Sequence, residues 1–141
     1  MRKILLASHG PLSGALKESA SLIAGETATE NVYSISIQMD TPKERVEDDL
    51  KEIFKDLNDG DEVLALTDVY GGSITRFVSE FVGQIEIHII TGVNLGMLLE
   101  ALFASPEEPI EHLVGTLQER AIEGIRYINA DLNTEKGGEE I

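Results

Sequence analysis

Lys3-Ile4-Leu5-Leu6-Ala7-Ser8-His9-Gly10-Pro11 decides how the rest of the chain is read. Ile4, Leu5, Leu6 and Ala7 form an unbroken apolar run, which predicts a strand covered on both faces. Gly10 and Pro11 stop that strand. Residues 12–24 then read as a helix. His9 therefore falls on the first strand-to-helix turn, at the carboxyl end of the strand. In open α/β sheets that edge is where ligands bind.

Outward from this stretch, strand and helix patterns alternate. Candidate strands span residues 3–8, 31–37, 62–67 and 84–90. Candidate helices span 12–24, 42–57, 73–82, 95–104 and 110–125. This alternation predicts a parallel sheet with right-handed crossovers and helices on both faces. Thr41-Pro42 fits a helix start, with threonine as N-cap and proline at the first helical position. Gly25 closes the first helix, and Asn58-Asp59-Gly60-Asp61 is a turn cluster. Ser105-Pro106-Glu107-Glu108-Pro109 separates the last two helices. Residues 124–129 stay open between a helix extension and a short strand. One domain over 1–130 is expected, followed by an acidic, mobile tail over 131–141.

Composition narrows the function classes. The 141 residues suit one domain that buries its core without staples. There is no cysteine, which excludes disulfides and thiolate metal sites. Eleven Lys and Arg stand against 26 Asp and Glu, a formal net charge of -15. That balance argues against nucleic acid and anionic membrane as partners. No stretch approaches the ~20 apolar residues of a membrane helix. The opening apolar run is also shorter than the ~7–15 residues of a signal-peptide core. A cytoplasmic protein is expected.

A second polar turn, Asp68-Val69-Tyr70-Gly71-Gly72-Ser73, follows the third strand. In a flavodoxin-like order, strands one and three are neighbours at the switch point, and the two turns face each other. The chemistry this suggests is phosphoryl transfer through His9. Imidazole is an acceptor when one ring nitrogen is free and unprotonated. A carboxylate on the other nitrogen fixes the tautomer and stabilises charge that builds during attack. Asp68 is the candidate for that carboxylate. Gly71 and Gly72 let backbone approach an anion, and Ser73 adds a hydroxyl donor at a helix start. The same tripeptide also fits a tight turn with an N-cap serine. His88 shares a strand face with Glu86, and His112 lies among glutamates on a helix. No spacing among the histidines builds a zinc site, and no cofactor is expected. Walker A, Gly-x-Gly-x-x-Gly and Gly-x-Ser-x-Gly patterns are absent.

With these residues in view, the chain resembles the IIA component of the mannose family of the bacterial sugar phosphotransferase system (PTS). The resemblance rests on Ser8-His9-Gly10, on Thr67-Asp68-Val69-Tyr70-Gly71-Gly72-Ser73, and on Thr91-Gly92-Val93-Asn94-Leu95-Gly96-Met97-Leu98-Leu99-Glu100. It implies that His9 accepts a phosphoryl group from the histidine-containing phosphocarrier protein and passes it to a IIB component. Asp68 would orient His9, and Ser73 would contact the phosphoryl group. Gly10, Tyr70, Arg76 and Asn94 become candidate crevice residues, with a plain helix cap the other reading of Asn94. The resemblance also implies four parallel strands plus an antiparallel C-terminal strand exchanged in a homodimer. Association with the membrane would be indirect, through the transporter, and IIB is expected to be a separate protein. Ile74-Thr75-Arg76 departs from the family's usual Pro-x-Asn, and Tyr70 stands where tryptophan is common. Arg76, in the first turn of its helix, is expected to affect the phosphoryl group or partner docking. Two other readings stay open. One is the phosphotransfer subunit of a dihydroxyacetone kinase system, against which Gly10 and Gly92-Val93-Asn94 speak. The other is a regulatory module switched by phosphorylation of His9.

Overall fold

The computed structural model, which describes residues 1–137, turns the opening apolar run into strand β1 (Arg2–His9). There follow α1 (Leu12–Ala24), β2 (Val32–Ile37), α2 (Lys43–Phe54), β3 (Glu62–Thr67), α3 (Ser73–Ser79), β4 (Ile87–Thr91), α4 (Leu95–Phe103), α5 (Ile110–Glu123) and α6 (Ile128–Gly137). The strands pair in parallel in the order β2-β1-β3-β4. The parallel sheet is the one the alternation predicts, and its strand order, which alternation leaves open, is flavodoxin-like.

Period-two alternation sends each strand's side chains to two separate cores. Ile4, Leu6, Leu64, Leu66 and Ile90 pack under α1, α4 and α5. Leu5, Ala7, Val63, Ala65 and Ile87 pack under α2 and α3. Burial on both faces explains why β1 and β3 read as continuous apolar runs. Leu64 pairs with Ile4 on one side and His88 on the other, and it is fully buried. Leu64→Ala is expected to cost about 2–5 kcal/mol. Urea unfolding would show this as a lower midpoint with an unchanged slope.

The chain path places the switch point. From β1 the chain crosses by α1 to β2, then returns by α2 on the opposite face to β3. This reversal opens a crevice at the carboxyl ends of β1 and β3. At the other end of the sheet Lys3 is buried in an otherwise apolar strand. Its Nζ donates to the Ile53 carbonyl (2.7 Å) and to Asp56 (2.5 Å), closing the last turn of α2.

Several local expectations are corrected. β1 runs through His9, so the histidine ends the strand and is held by pairing with Ile37. Pro42, with extended backbone, is the N-cap of α2, and the helix begins at Lys43. The Thr41 hydroxyl accepts the Gln38 N–H instead of capping the helix. α3 stops at Ser79 because the next amides bond three residues back, as with Phe81 N–H to Val78 O, before Gly83 turns at φ +92°. β4 accordingly starts at Ile87, three residues later than expected from the pattern beginning at 84. The antiparallel C-terminal strand is not formed among the described residues. Residues 125–127 are irregular and α6 follows, with the Ala130 and Asp131 amides both bonding to Tyr127 O. A strand needs an edge to pair with, and here the segment bonds along itself. The stretch read as a tail from 131 begins inside α6, and its end, 138–141, lies outside the described residues.

Candidate functional site

The turn after β1 is built by its own side chains. Gly10 takes φ +61°, a left-handed conformation that glycine adopts without steric cost. Its N–H bonds to Ile37 O at 2.8 Å. Pro11 precedes α1 with no capping side chain. The buried Ser8 hydroxyl fills that role by accepting the Ser13 N–H at 2.8 Å. Ser13 in turn donates to Ile35 O at 3.0 Å, tying α1 to β2.

β3 ends beside β1, and Asp68 is the first residue past it. Asp68 Oδ2 lies 2.7 Å from both the His9 backbone N–H and His9 Nδ1. Its Oδ1 accepts the Val69 N–H at 2.8 Å. Burial pushes this carboxyl up, but the hydrogen bonds from the His9 amide, the His9 ring and the Val69 amide outweigh burial. They hold Asp68 below the ordinary carboxylate value, so it is ionised at neutral pH. An ionised carboxylate only accepts, so Nδ1 carries the ring proton. In the neutral ring Nε2 is then the lone-pair nitrogen. Nothing among the described residues bonds it, and the ring is about half exposed.

The two glycines of the second turn serve different ends. Gly72 N–H returns to Val69 O (3.2 Å), and Gly71 takes φ +79°. That is a type II turn, which demands a left-handed third residue. Gly72 has ordinary backbone angles. A Cβ there would stand 3.1 Å from His9 Cε1 and 3.0 Å from Val69 Cγ2. Gly72 is thus required by the proximity of the imidazole.

Ser73 then opens α3. With His9, Gly10, Ile37, Met39, Thr41 and Phe77 it lines a crevice of about 500 Å³. Its hydroxyl has no partner among the described residues. Arg76 turns back, and its Nη1 donates to Gly71 O at 3.0 Å. Asn94 caps α4 by accepting the Met97 N–H (2.9 Å) and donates to Ala121 O (3.2 Å). It lines a separate cavity of about 400 Å³, together with Tyr70, Met97 and Ile122. The structure therefore gathers His9, Asp68, Gly10, Gly71, Gly72 and Ser73 and sets Asn94 and Tyr70 beside the neighbouring cavity. Sequence reasoning passed over Ser8 and Thr75. A small hydroxyl residue at a buried strand end was the signal for Ser8. His88 and His112 each pair with a glutamate away from the crevice.

Chemically, an imidazole anchored by Nδ1–H to an ionised carboxylate, with Nε2 open to solvent, is a nucleophile in its reactive tautomer.

The chain is also similar to known proteins. A family model described as "PTS system fructose IIA component" matches residues 3–118. The chain is 27% identical over 119 residues to the PTS system fructose-specific EIIA component of Bacillus subtilis (strain 168), covering 84% of this chain and 80% of that protein. It is 30% identical over 129 residues to the PTS system mannose-specific EIIAB component of Escherichia coli (strain K12). That match covers 90% of this chain but only 39% of the longer relative. Among solved structures, phosphotransferase system component EIIA from Streptococcus agalactiae aligns with a TM-score of 0.82 at 28% identity, over 92% of this chain and 99% of that one. The mannose/sorbose specific IIA subunit from Enterococcus faecalis shares the fold, with a TM-score of 0.80 at 24% identity over 89% of this chain and 93% of its own.

Proposed function

This chain belongs to the PTS fructose IIA component family, and from that premise we propose that His9 is its phosphoryl carrier. The observation that supports this most directly is the 2.7 Å contact between Asp68 and His9 Nδ1, which leaves Nε2 as the attacking atom. In the proposed step the Nε2 lone pair forms a bond to phosphorus of the phosphorylated histidine phosphocarrier protein. The donor's N–P bond breaks, and its electron pair stays on the donor ring. His9 keeps its Nδ1 proton, so positive charge builds on the ring opposite ionised Asp68. The reverse sequence delivers the group to a IIB component.

Ser73 is the proposed hydroxyl contact to the phosphoryl oxygens. Gly71 and Gly72 keep the turn low enough for the group to enter. The rim supports a protein donor, since Met39, Val69 and Tyr70 expose apolar surface around the turns. Residues 1–130 form the transfer domain in this reading.

The test is incubation with phosphoenolpyruvate, enzyme I and the histidine phosphocarrier protein, followed by intact mass. One acid-labile phosphoryl group is expected. No gain from an active cognate donor would overturn the proposal.

A homodimer is part of the same reading. Among the described residues the outer edge of β4 is unpaired, and the cavity beside it is lined by Ile89, Val114 and Ile125. Ile122, Ile125, Tyr127, Ile128 and Leu132 are exposed nearby in sequence. Cover by a second copy predicts twice the chain mass in light scattering, and Ile125→Asp is expected to shift it toward monomer.

A further inference from the structure

We infer that Thr75 and Arg76 are positioning residues that hold the Asp68–Gly72 turn against His9 and so set its reactive tautomer. The inference rests on the reading of His9 as the acceptor. Asp68 can orient the imidazole only if its own turn is fixed within a few tenths of an ångström. That turn has one internal backbone bond, Gly72 N–H to Val69 O, and at 3.2 Å it is long. Besides the Asp68 carboxylate's own bonds to the His9 and Val69 amides, support comes from the first turn of α3. Thr75 Oγ1 donates to Val69 O at 3.1 Å and lies 2.8 Å from the Thr67 hydroxyl. Thr67 is fully buried at the end of β3, and its carbonyl accepts the Val93 N–H at 3.0 Å. Thr75 thus links the turn to the buried end of β3. Arg76 holds the other end through Gly71 O at 3.0 Å. It has no carboxylate partner among the described residues, so this carbonyl is the group its guanidinium serves. Directly after the second clamped carbonyl comes Gly72, where a Cβ would stand 3.1 Å from the His9 ring. A turn that slid by that order would carry Asp68 off Nδ1 and press on Cε1. Ile74, which stands at the proline position of Pro-x-Asn, is fully buried in the core beneath and anchors the helix that carries both clamps.

The experiment reads the ring itself. In nitrogen-15-labelled protein at neutral pH, the His9 ring nitrogens, assigned by their loss in His9→Ala, report which nitrogen is protonated. In the neutral ring of the wild type the proton is expected on Nδ1 alone. Thr75→Val should bring in the Nε2–H tautomer and slow single-turnover phosphorylation by roughly 10- to 100-fold. Thr75→Ser, which keeps the hydroxyl, should restore both. Arg76→Ala should move both readouts in the same direction by less. Wild-type ring nitrogen signals in both Thr75→Val and Arg76→Ala would overturn the inference. If Thr75→Val does not fold, the exposed Arg76→Ala decides it on the same readout. A wild type that shows the Nδ1–H tautomer yet accepts no phosphoryl group would defeat the function proposed above, and the ring signals would still judge the clamps.

Discussion

His9→Ala is expected to abolish phosphoryl acceptance while leaving the protein as stable as the wild type to within about 1 kcal/mol. The His9 side chain is 48% exposed, so its removal opens no cavity in either core. Its backbone N–H still reaches Asp68, and the Val69 N–H still bonds Oδ1. The carboxylate therefore keeps two of its three donors and is not stranded. What disappears is the nucleophile, for which the crevice holds no substitute. Its hydroxyls are those of Ser73 and Thr41, and without the imidazole no base is left among the described residues that line it. Intact mass after incubation with the donor system, together with a thermal melt, checks both halves. An acid-labile phosphoryl group on the variant would show that His9 is not the acceptor.

Asp68→Asn is expected to slow acceptance by roughly 10³–10⁴-fold, the scale seen when the orienting carboxylate of a catalytic histidine is replaced by its amide. The geometry makes a benign substitution unattainable. All three groups around the side chain are donors: the His9 amide, His9 Nδ1–H and the Val69 amide. An asparagine has one acceptor oxygen, so its NH2 must face at least one of them. If the NH2 faces His9, the ring must turn or protonate Nε2, which removes the lone pair. Rapid-quench phosphorylation of the two proteins measures the difference.

Asp68 also gives a pH signature. Its carboxyl is held below the ordinary range in the folded protein. Its stabilising contribution is therefore fully present above the unfolded carboxylate value and is lost as pH falls through the folded one. The stability of the wild type is expected to fall toward that of Asp68→Asn below about pH 4 and to exceed it on a plateau near neutrality. Denaturant midpoints collected across that range test the sign.

The parts of this molecule that could be read from sequence are those where one physical demand dominates. Ile4 to Ala7 announced a strand because burial on both faces leaves no room for polar residues. His9 and Asp68 could be paired on the condition of a flavodoxin-like order, because the switch point then brings the ends of β1 and β3 together. Where two demands compete, local pattern failed. Thr41 has the chemistry of a helix cap, yet the Gln38 N–H claims its hydroxyl. Asn94 suited both a cap and a crevice wall, and the unpaired amide of Met97 took it as a cap. Thr75 gave no signal, since its partners Val69 and Thr67 lie six and eight residues back and meet it only after the turn has closed. The segment after Gly124 was undecidable because its apolar residues stay exposed, so no burial pattern favours one conformation.

His9 is the last residue of β1, pinned by Ile37 on one side and by Asp68 on the other, and it offers one open nitrogen at the mouth of one crevice. If His9 is the carrier proposed above, giver and taker must occupy the same ground. They come in turn and never together, so each excludes the other. An excess of either one starves the exchange it belongs to. Flow through the protein is then governed by the balance between its two visitors, and the strand end acts as a turnstile that admits one of them at a time.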